Sequence, residues 1–436
     1  GILSSLILDL PDPQFVGSLK AQITHLMMGL VGSRTHPSDP IAYPLPRFRD
    51  GAYQLVALAH AGNLDVAKQL SPYFAENDFS NSTLPEADIP ALGIWALSEV
   101  ANSLKQPDYD QWLWPHMRRK AEIIGNMLSS NRPGYPIFTS AKFPFAENTD
   151  LQRVDLIAGK MDKSSGSIGL DPAANIMSYR ALEDAATLAD RLRHSEDAKL
   201  WRSQAEQLKT TWQKANQTQF TAFTNGLWPS GIAEGERDLM AKKLQERWEA
   251  SRDATGAFRQ TPPAMQYQLA EAHQWLLLNQ PEQVWSTLKW AWRNQASPGL
   301  YTWWSDRNEL DKSLAPKSFS QWQRFRGWVN PPHLTPHYWT AAEMLLLQLD
   351  MLAYIDHSTS SPTLIVGAGI PTAWLKQPIS IKGQLVEGNL VNWIWDGKQM
   401  NVQIKGEPMK VKAGSVFPPG TQIKVEILPK ELPQSK

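Results

Sequence analysis

Residue types able to do acid–base chemistry on a neutral substrate fall in a few short stretches. "PRFRD" sets Arg49 beside Asp50, and "STLPEAD" ends on Asp88. "AGKMDKSSGSIGLD" carries Asp162 and Asp171, and "GLYTWWSDRNE" places Trp303 and Trp304 just ahead of Asp306 and Glu309. "RFRGWVNPPHLTPHY" brings in His337. Carboxylates framed by indoles suit glycoside chemistry, which needs one acid and one base or nucleophile across the scissile bond. A planar guanidinium fork next to a carboxylate, as at Arg49 and Asp50, matches vicinal hydroxyls better than a flexible Lys would. Taken alone, Asp50 reads as a helix N-cap and Arg49 as its ion-pair partner. Their shared placement with the other clusters, each ahead of an apolar helix, argues for one pocket.

The elements that must position these residues are helical through about residue 356. Apolar residues recur at helical spacing in about eleven segments, from "VGSLKAQITHLMMGLV" to "WTAAEMLLLQLDMLAY". Some are small and apolar around most of the turn ("GAYQLVALAHAG"), whereas others carry a charged face ("LMAKKLQERWEA"). Buried helices alternating with half-exposed ones predict two concentric layers, a helical toroid in which the loops entering the inner helices converge on one rim. After "HSTSSP" the period changes to two, with Gly, Pro and Asp-Gly punctuation, which predicts a small all-β module. The expected division is a helical catalytic domain over 1–356 and a β-rich module over 362–430.

Composition narrows the function. The chain has 436 residues, with 43 Lys+Arg against 43 Asp+Glu, and this zero net charge argues against a nucleic-acid binder, which needs a basic face to displace counterions. The absence of cysteine removes disulfides, thiolate metal sites and Cys nucleophiles. No apolar run approaches a membrane span, and "GILSSLILDL" is too short and lacks the basic flank of a signal peptide. No HExxH, Walker A or GxSxG pattern occurs, and "GAGIPT" lacks the βαβ context of a dinucleotide site, so neither metal nor cofactor is expected. Nineteen tryptophans favour a carbohydrate partner, because indoles stack on sugar rings, or else a Trp-rich core.

These segments resemble the six-hairpin glycosidases, the (α/α)6-barrel group that includes glucoamylases and trehalases. "PRFRDGAYQLVAL" is similar to the glucoamylase pattern of aromatic-Thr-Arg-Asp before a small-residue helix. "LPEADIPALGIWAL" resembles that family's "RPQxDGPALR", with Asp88 at the acidic position, Leu84 in place of its Arg and Ile89 in place of its Gly. "SYRALEDAATLA" resembles the helix after the general-acid loop, although no Trp-Glu-Glu precedes it, and the tail resembles the β-module beside the barrel. The resemblance implies a mainly α fold, an (α/α)6 toroid with a small C-terminal all-β module. It also implies that Arg49 and Asp50 hold the hydroxyls of the innermost sugar.

The resulting expectation is a glycoside hydrolase acting on an oligo- or polysaccharide through two carboxylates with inversion. Asp162 is the expected acid, with Asp171 as rival. Glu309 is the expected base, with Asp306 as rival and Glu343 one turn inside the last helix. Arg49, Asp50, Asp88, Trp303, Trp304 and His337 are the expected substrate-binding residues. A phosphorylase on the same barrel would need a cationic site, for which Arg324, Arg326 and His337 are candidates. A sugar-binding protein without turnover and a lyase using Tyr338 and His337 are the remaining readings.

Overall fold

The computed structural model describes residues 6–41, 43–78, 86–129, 157–161, 168–170, 172–216, 225–260, 262, 264–305, 335–359 and 361–429. The chain is mostly helical with a small C-terminal β region. Among the described residues the helices are α1 (Pro13–Met28), α2 (Phe48–His60), α3 (Leu64–Glu76), α4 (Ile89–Leu104), α5 (Pro107–Ser129) and α6 (Pro172–Arg191). They continue with α7 (Ser195–Asn216), α8 (Arg237–Ser251), α9 (Met265–Leu277), α10 (Pro281–Arg293) and α11 (Tyr338–Leu352). Each corresponds to one of the periodic segments in the sequence.

The division into buried and half-exposed helices is physical. In α4 every residue except Asn102 is buried, and α2, α9 and α11 are nearly as enclosed. By contrast α8 buries only Met240 and Leu244. The enclosed helices lie side by side: α4 packs against α6 and α2, α2 against α11, and α11 against α9. Outside them α3 covers α2 and α4, α5 covers α4, α7 covers α6, α10 covers α9 and α1 covers α11. The turns at 225–230 bridge α6 and α9, because Arg180 donates to the Pro229 carbonyl at 2.5 Å and Gln274 clasps Trp228 through both its backbone N–H (3.0 Å) and its carbonyl (2.8 Å). Gly51 is required by this packing, since a Cβ there would lie 2.3 Å from Thr35 Oγ1 and 2.9 Å from the Phe74 ring.

The β region contains one strand that the sequence pattern does not reveal. β1 (Ile7–Asp9) pairs antiparallel with β6 (Ile379–Val386), with Leu8 opposite Ile381. From β6 the sheet continues through β7 (Asn389–Trp395) and β8 (Gln399–Lys405) to β10 (Gln422–Leu428), which runs parallel to β8. Two short strands, β2 (Ala158–Met161) and β3 (Ile168–Leu170), form a separate pair. A further three-stranded sheet joins β4 (Ala353–Asp356), β5 (Thr363–Val366) and β9 (Lys410–Ala413). Periodicity extends the last helix to Tyr354, but α11 ends at Leu352 and β4 follows at once.

This region is fastened to the helices. Gln384 donates to the Leu349 and Ala353 carbonyls at 2.9 and 3.0 Å, Trp285 donates to Gly369 at 2.7 Å, and Trp374 packs on Phe15 and Trp285. The Glu387-Gly388 turn has φ of 46° and 75°, the pair of positive angles that a two-residue hairpin favours. It presses so closely on the end of α4 that a Cβ on Gly388 would lie 2.5 Å from the Asn102 carbonyl. No helix among the described residues is long and apolar enough to cross a membrane.

Candidate functional site

The leading ends of α2, α4 and α11 bring Arg49, Asp50, Asp88 and His337 together. Neither aspartate caps its helix. α2 is preceded by Arg47, with Asp50 already in the first turn, and Asp88 precedes α4 without a capping bond from its side chain. Both carboxylates face side chains of other elements instead. Arg49 forms a bidentate pair with Asp88, Nε to Oδ2 at 2.7 Å and Nη2 to Oδ1 at 2.8 Å, and its Nη2 also lies 3.3 Å from Glu86. Burial opposes the guanidinium charge, but Asp88 and Glu86 outweigh it and raise the Arg49 pKa. Asp50, 6% exposed, accepts from His337 Nε2 at 3.1 Å.

His337 is held from three directions. Its backbone N–H donates to the Trp303 carbonyl at 3.0 Å, and its Nδ1 meets Thr340 Oγ1 at 2.9 Å. The next residue, Tyr338, donates its N–H to the Pro37 carbonyl at 3.1 Å. Thr340 in turn reaches Gln266 Oε1 at 3.4 Å, and Gln266 Nε2 reaches the Ser305 carbonyl at 3.3 Å. A polar chain thus runs from Asp50 through α11 and α9 to the "TWWS" segment, fixing the imidazole's rotation and tautomer by its partners.

One turn into α11 lies Glu343, 1% exposed. Its Oε1 accepts from the Trp339 indole N–H at 3.1 Å, and its Oε2 has no partner among the described residues. Burial pushes this carboxyl up to about 8, against a small opposing effect of the Trp339 bond. Desolvation of this kind keeps a proton on a carboxyl at neutral pH, the property a general acid requires. Its surroundings are aromatic. Tyr53 stacks on Trp339 with centroids 5.0 Å apart, meets Trp95 edge-on at 4.9 Å and leans toward Trp228 at 6.4 Å, while Tyr267 packs edge-on to Trp339 at 5.7 Å. Burial raises the Tyr267 hydroxyl first, and the charges of Arg49, Asp50, Asp88 and Glu343 all act on it, so this ring sits where the two clusters meet.

The remaining expected residues fare differently. Trp303 is 1% exposed, with its indole N–H bonded to the Ala291 carbonyl at 2.9 Å. It braces His337 through its backbone and presents no ring face to a ligand. Trp304 is half-buried beside it. Asp162 and Glu309, with their rivals Asp171 and Asp306 and the cationic candidates Arg324 and Arg326, lie outside the described residues. Tyr53, Trp95, Trp228, Tyr267 and Trp339 were not anticipated, and part of the tryptophan excess is core: Trp201 and Trp393 are buried.

No protein-family model and no curated protein matches the chain. Solved structures do. A GH78 family rhamnosidase of Bacillus sp. GL1 aligns over 98% of this chain and 44% of its own, with a TM-score of 0.62 and 11% identity. The chain therefore spans less than half the length of that protein. A rhamnosidase from Klebsiella oxytoca with rhamnose bound aligns over 80% of this chain and 66% of its own, at a TM-score of 0.53 and 14% identity. A glycosidase in complex with glucose aligns over 78% of this chain and 98% of its own, at a TM-score of 0.53 and 11% identity. The fold is shared with glycosidases, at low sequence identity.

Proposed function

We propose that this protein is an inverting glycoside hydrolase on an (α/α)6 toroid. The single observation that carries the reading is Glu343, a buried carboxyl whose Oε2 has no partner among the described residues, set in an aromatic box on the helix that begins at the His337–Asp50 pair. The order α6–α4–α2–α11–α9, with the turns at 225–230 bridging α6 to α9, supports a closed ring in which those turns occupy the place of the sixth inner helix. The helical region over 1–356 carries the site, and the module over 362–430 buttresses it together with β1.

In this reading Arg49 and Asp50 touch the hydroxyls of the non-reducing-end sugar, and the part-exposed rings of Trp339 and Tyr267 pack on its faces, with the buried Tyr53 and Trp95 behind them. The acid gives its proton to the glycosidic oxygen as the bond to the anomeric carbon breaks. A base takes a proton from water as the water oxygen bonds to that carbon from the opposite side. Sequence argues for Asp162 as acid and Glu309 as base. Burial and the unpaired Oε2 support Glu343 as the acid in place of Asp162, with Glu309 keeping the base role. Rhamnose in one aligned structure and glucose in another make terminal α-L-rhamnosides and glucosides the first substrates to try.

A panel of aryl and natural glycosides, with the product anomer followed by NMR, tests the activity: turnover with inversion is expected. Glu343→Gln and Asp162→Asn are then compared on aryl glycosides of differing leaving-group pKa. The variant of the true acid loses turnover on poor leaving groups and recovers most of it on dinitrophenyl glycosides, which need no protonation. A folded protein that turns over no glycoside in the panel would overturn the reading.

A further inference from the structure

The trailing ends of the same helices enclose a cleft of about 950 Å³ bounded by the ends of α2, α4 and α11, the flank of α6 and the β6–β7 turn. Its charges are unequal, with nine carboxylates on the wall against four Lys or Arg side chains. Two of those cations are matched one to one, Arg191 with Asp110 at 3.0 Å and Arg237 with Glu234 at 2.6 Å. Arg180 is shared. Its Nη2 serves Glu99 at 2.7 Å, and its Nε serves Asp184 at 2.9 Å. Glu99 has a second partner in His60 at 2.8 Å, whereas Asp184 has no second cation among the described residues.

The two carboxyls respond in opposite directions. Burial works against Glu99, yet His60 and Arg180 draw it down to about 2. Burial, reinforced by the charge of Glu99, pushes Asp184 up to about 7 despite Arg180. Among the described residues Asp184 accepts from Arg180 alone, at 2.9 Å to each oxygen, and one acceptor on the same wall has no donor. Gln384 is 2% exposed, its Nε2 is committed to the Leu349 and Ala353 carbonyls, and its Oε1 has no hydrogen-bond partner. A buried acceptor left unmatched is costly, so a ligand that donates there is favoured. Trp228, one face of which is stacked on His273 at 4.1 Å, and Tyr179, which has Lys209 Nζ 5.7 Å over its ring, add aromatic surface to the wall through their other faces.

We propose that this cleft binds an organic ammonium ligand, whose charged nitrogen pairs with Asp184 and whose further N–H or O–H donors satisfy Gln384. An ammonium group carries three donors and no acceptor, which complements a wall where carboxylates outnumber cations and the Gln384 Oε1 acceptor is unmatched. The carbon skeleton of the ligand packs on Trp228 and Tyr179, where a cation is also attracted by the ring faces. The same chemistry is found in linear polyamines and in amino sugars, and the cleft size suits either. This inference does not rest on the glycosidase reading.

Calorimetric titration of the full chain at low salt with spermidine and with glucosamine tests it, with calcium chloride as a control for charge alone. One amine is expected to bind with a Kd of about 1 mM or tighter. Binding by spermidine alone identifies the polyamine source, and binding by glucosamine alone the amino sugar. Asp184→Asn is expected to weaken the binding amine about tenfold, the scale of one charge-assisted bond. Should that variant fail to fold, Gln384→Met, which keeps length and apolar packing, is expected to weaken it measurably. Binding of neither amine, an equal response to calcium, or unchanged amine affinity in the folded variants overturns the proposal. Glucosamine binding that disappears in Glu343→Gln but survives in Asp184→Asn places the amine at the other end of the helices and overturns it too.

Discussion

The two ends of α2, α4 and α11 treat charge in opposite ways. At the leading ends each buried aspartate has its own partner: Arg49 gives both prongs of its fork to Asp88, with Glu86 a longer contact at 3.3 Å, and His337 serves Asp50. The remaining carboxyl, Glu343, is buried without a counter-charge, which pushes it up to about 8. At the trailing ends one guanidinium is divided between Glu99 and Asp184, and the less favoured partner is the one pushed up. The same buried helices thus hold a carboxyl without a counter-charge at one end and two carboxyls sharing one guanidinium at the other. Burial alone does not determine what a carboxyl can do; the number of partners left to it does.

The largest expected effect breaks this contrast at Glu343. Glu343→Gln keeps the shape and the Trp339 bond but removes the titratable proton, and turnover of unactivated glycosides should fall about 10²–10⁴-fold, the usual contribution of a general acid. The wild-type pH–rate profile should show an alkaline limb near pH 8, where Glu343 gives up its proton, and that limb should vanish in the variant. Near-normal turnover in a folded variant returns the acid to Asp162.

Arg49→Lys comes next. It preserves charge and loses the planar fork, so the bidentate pair with Asp88 becomes a single point contact. A fall of about 100-fold in kcat/KM is expected, corresponding to about 2.7 kcal/mol of binding lost in the transition state. Circular dichroism should report an intact fold, because the Arg49 side chain is one-third exposed. If kcat/KM changes less than threefold, the fork serves Asp88 only and does not touch sugar.

Thr340→Val probes the support behind the pairing. Valine removes the hydroxyl between His337 and Gln266, leaving His337 Nδ1 and Gln266 Oε1 without that partner. Unfolding in urea should show a loss of about 1–3 kcal/mol, the cost of a buried polar group left unmatched. Turnover should fall by less than in Arg49→Lys, because the Asp50 contact survives. A turnover loss larger than that of Arg49→Lys would make His337 itself part of the chemistry.

Arg49, Asp50, Asp88 and His337 were readable because each stands at the start of an apolar segment, where a polar cluster has a local signature. Glu343 was visible only as a position inside "WTAAEMLLLQLD". Its surroundings depend on Tyr53, about 290 residues away in sequence, whose stacking on Trp339 closes the box. A carboxylate within a helix whose other residues are nearly all apolar is the signal that would have found it, since such a group is rarely buried without a role. Trp303 and Trp304 looked equivalent as a doublet, but adjacent residues cannot face the same way, and the first turned into the core. β1 escaped notice because three residues carry too little period, and its partner β6 is remote in the chain. The helix–strand switch was readable to within a few residues; its exact point at Ala353 is set by pairing with Val366, a contact that no local pattern encodes.

The smallest expected effect concerns stability, and it isolates Glu343 from every other titrating group. In the unfolded chain a glutamate gives up its proton near the ordinary value of about 4.3, whereas in the folded protein Glu343 keeps it to about 8. Between those values the folded state binds one more proton than the unfolded state, so raising the pH works against folding. The contribution is complete below the unfolded value, declines as pH rises through this window, and is flat again above the folded value. The slope is at most one proton, about 1.4 kcal/mol per pH unit. Spread over the unfolding entropy of a chain this long, that is on the order of 1 °C of Tm per pH unit. Glu343→Gln has no such term. Other groups, Asp184 and Glu99 among them, titrate alike in both proteins, so they cancel when the two Tm curves are subtracted. The difference curve should therefore fall for the wild type relative to the variant from pH 5 to pH 8 and level off beyond. A difference curve that stays flat across that window means that Glu343 is ionised in the folded protein at neutral pH, and the contrast between the two ends of the helices then fails at its leading end.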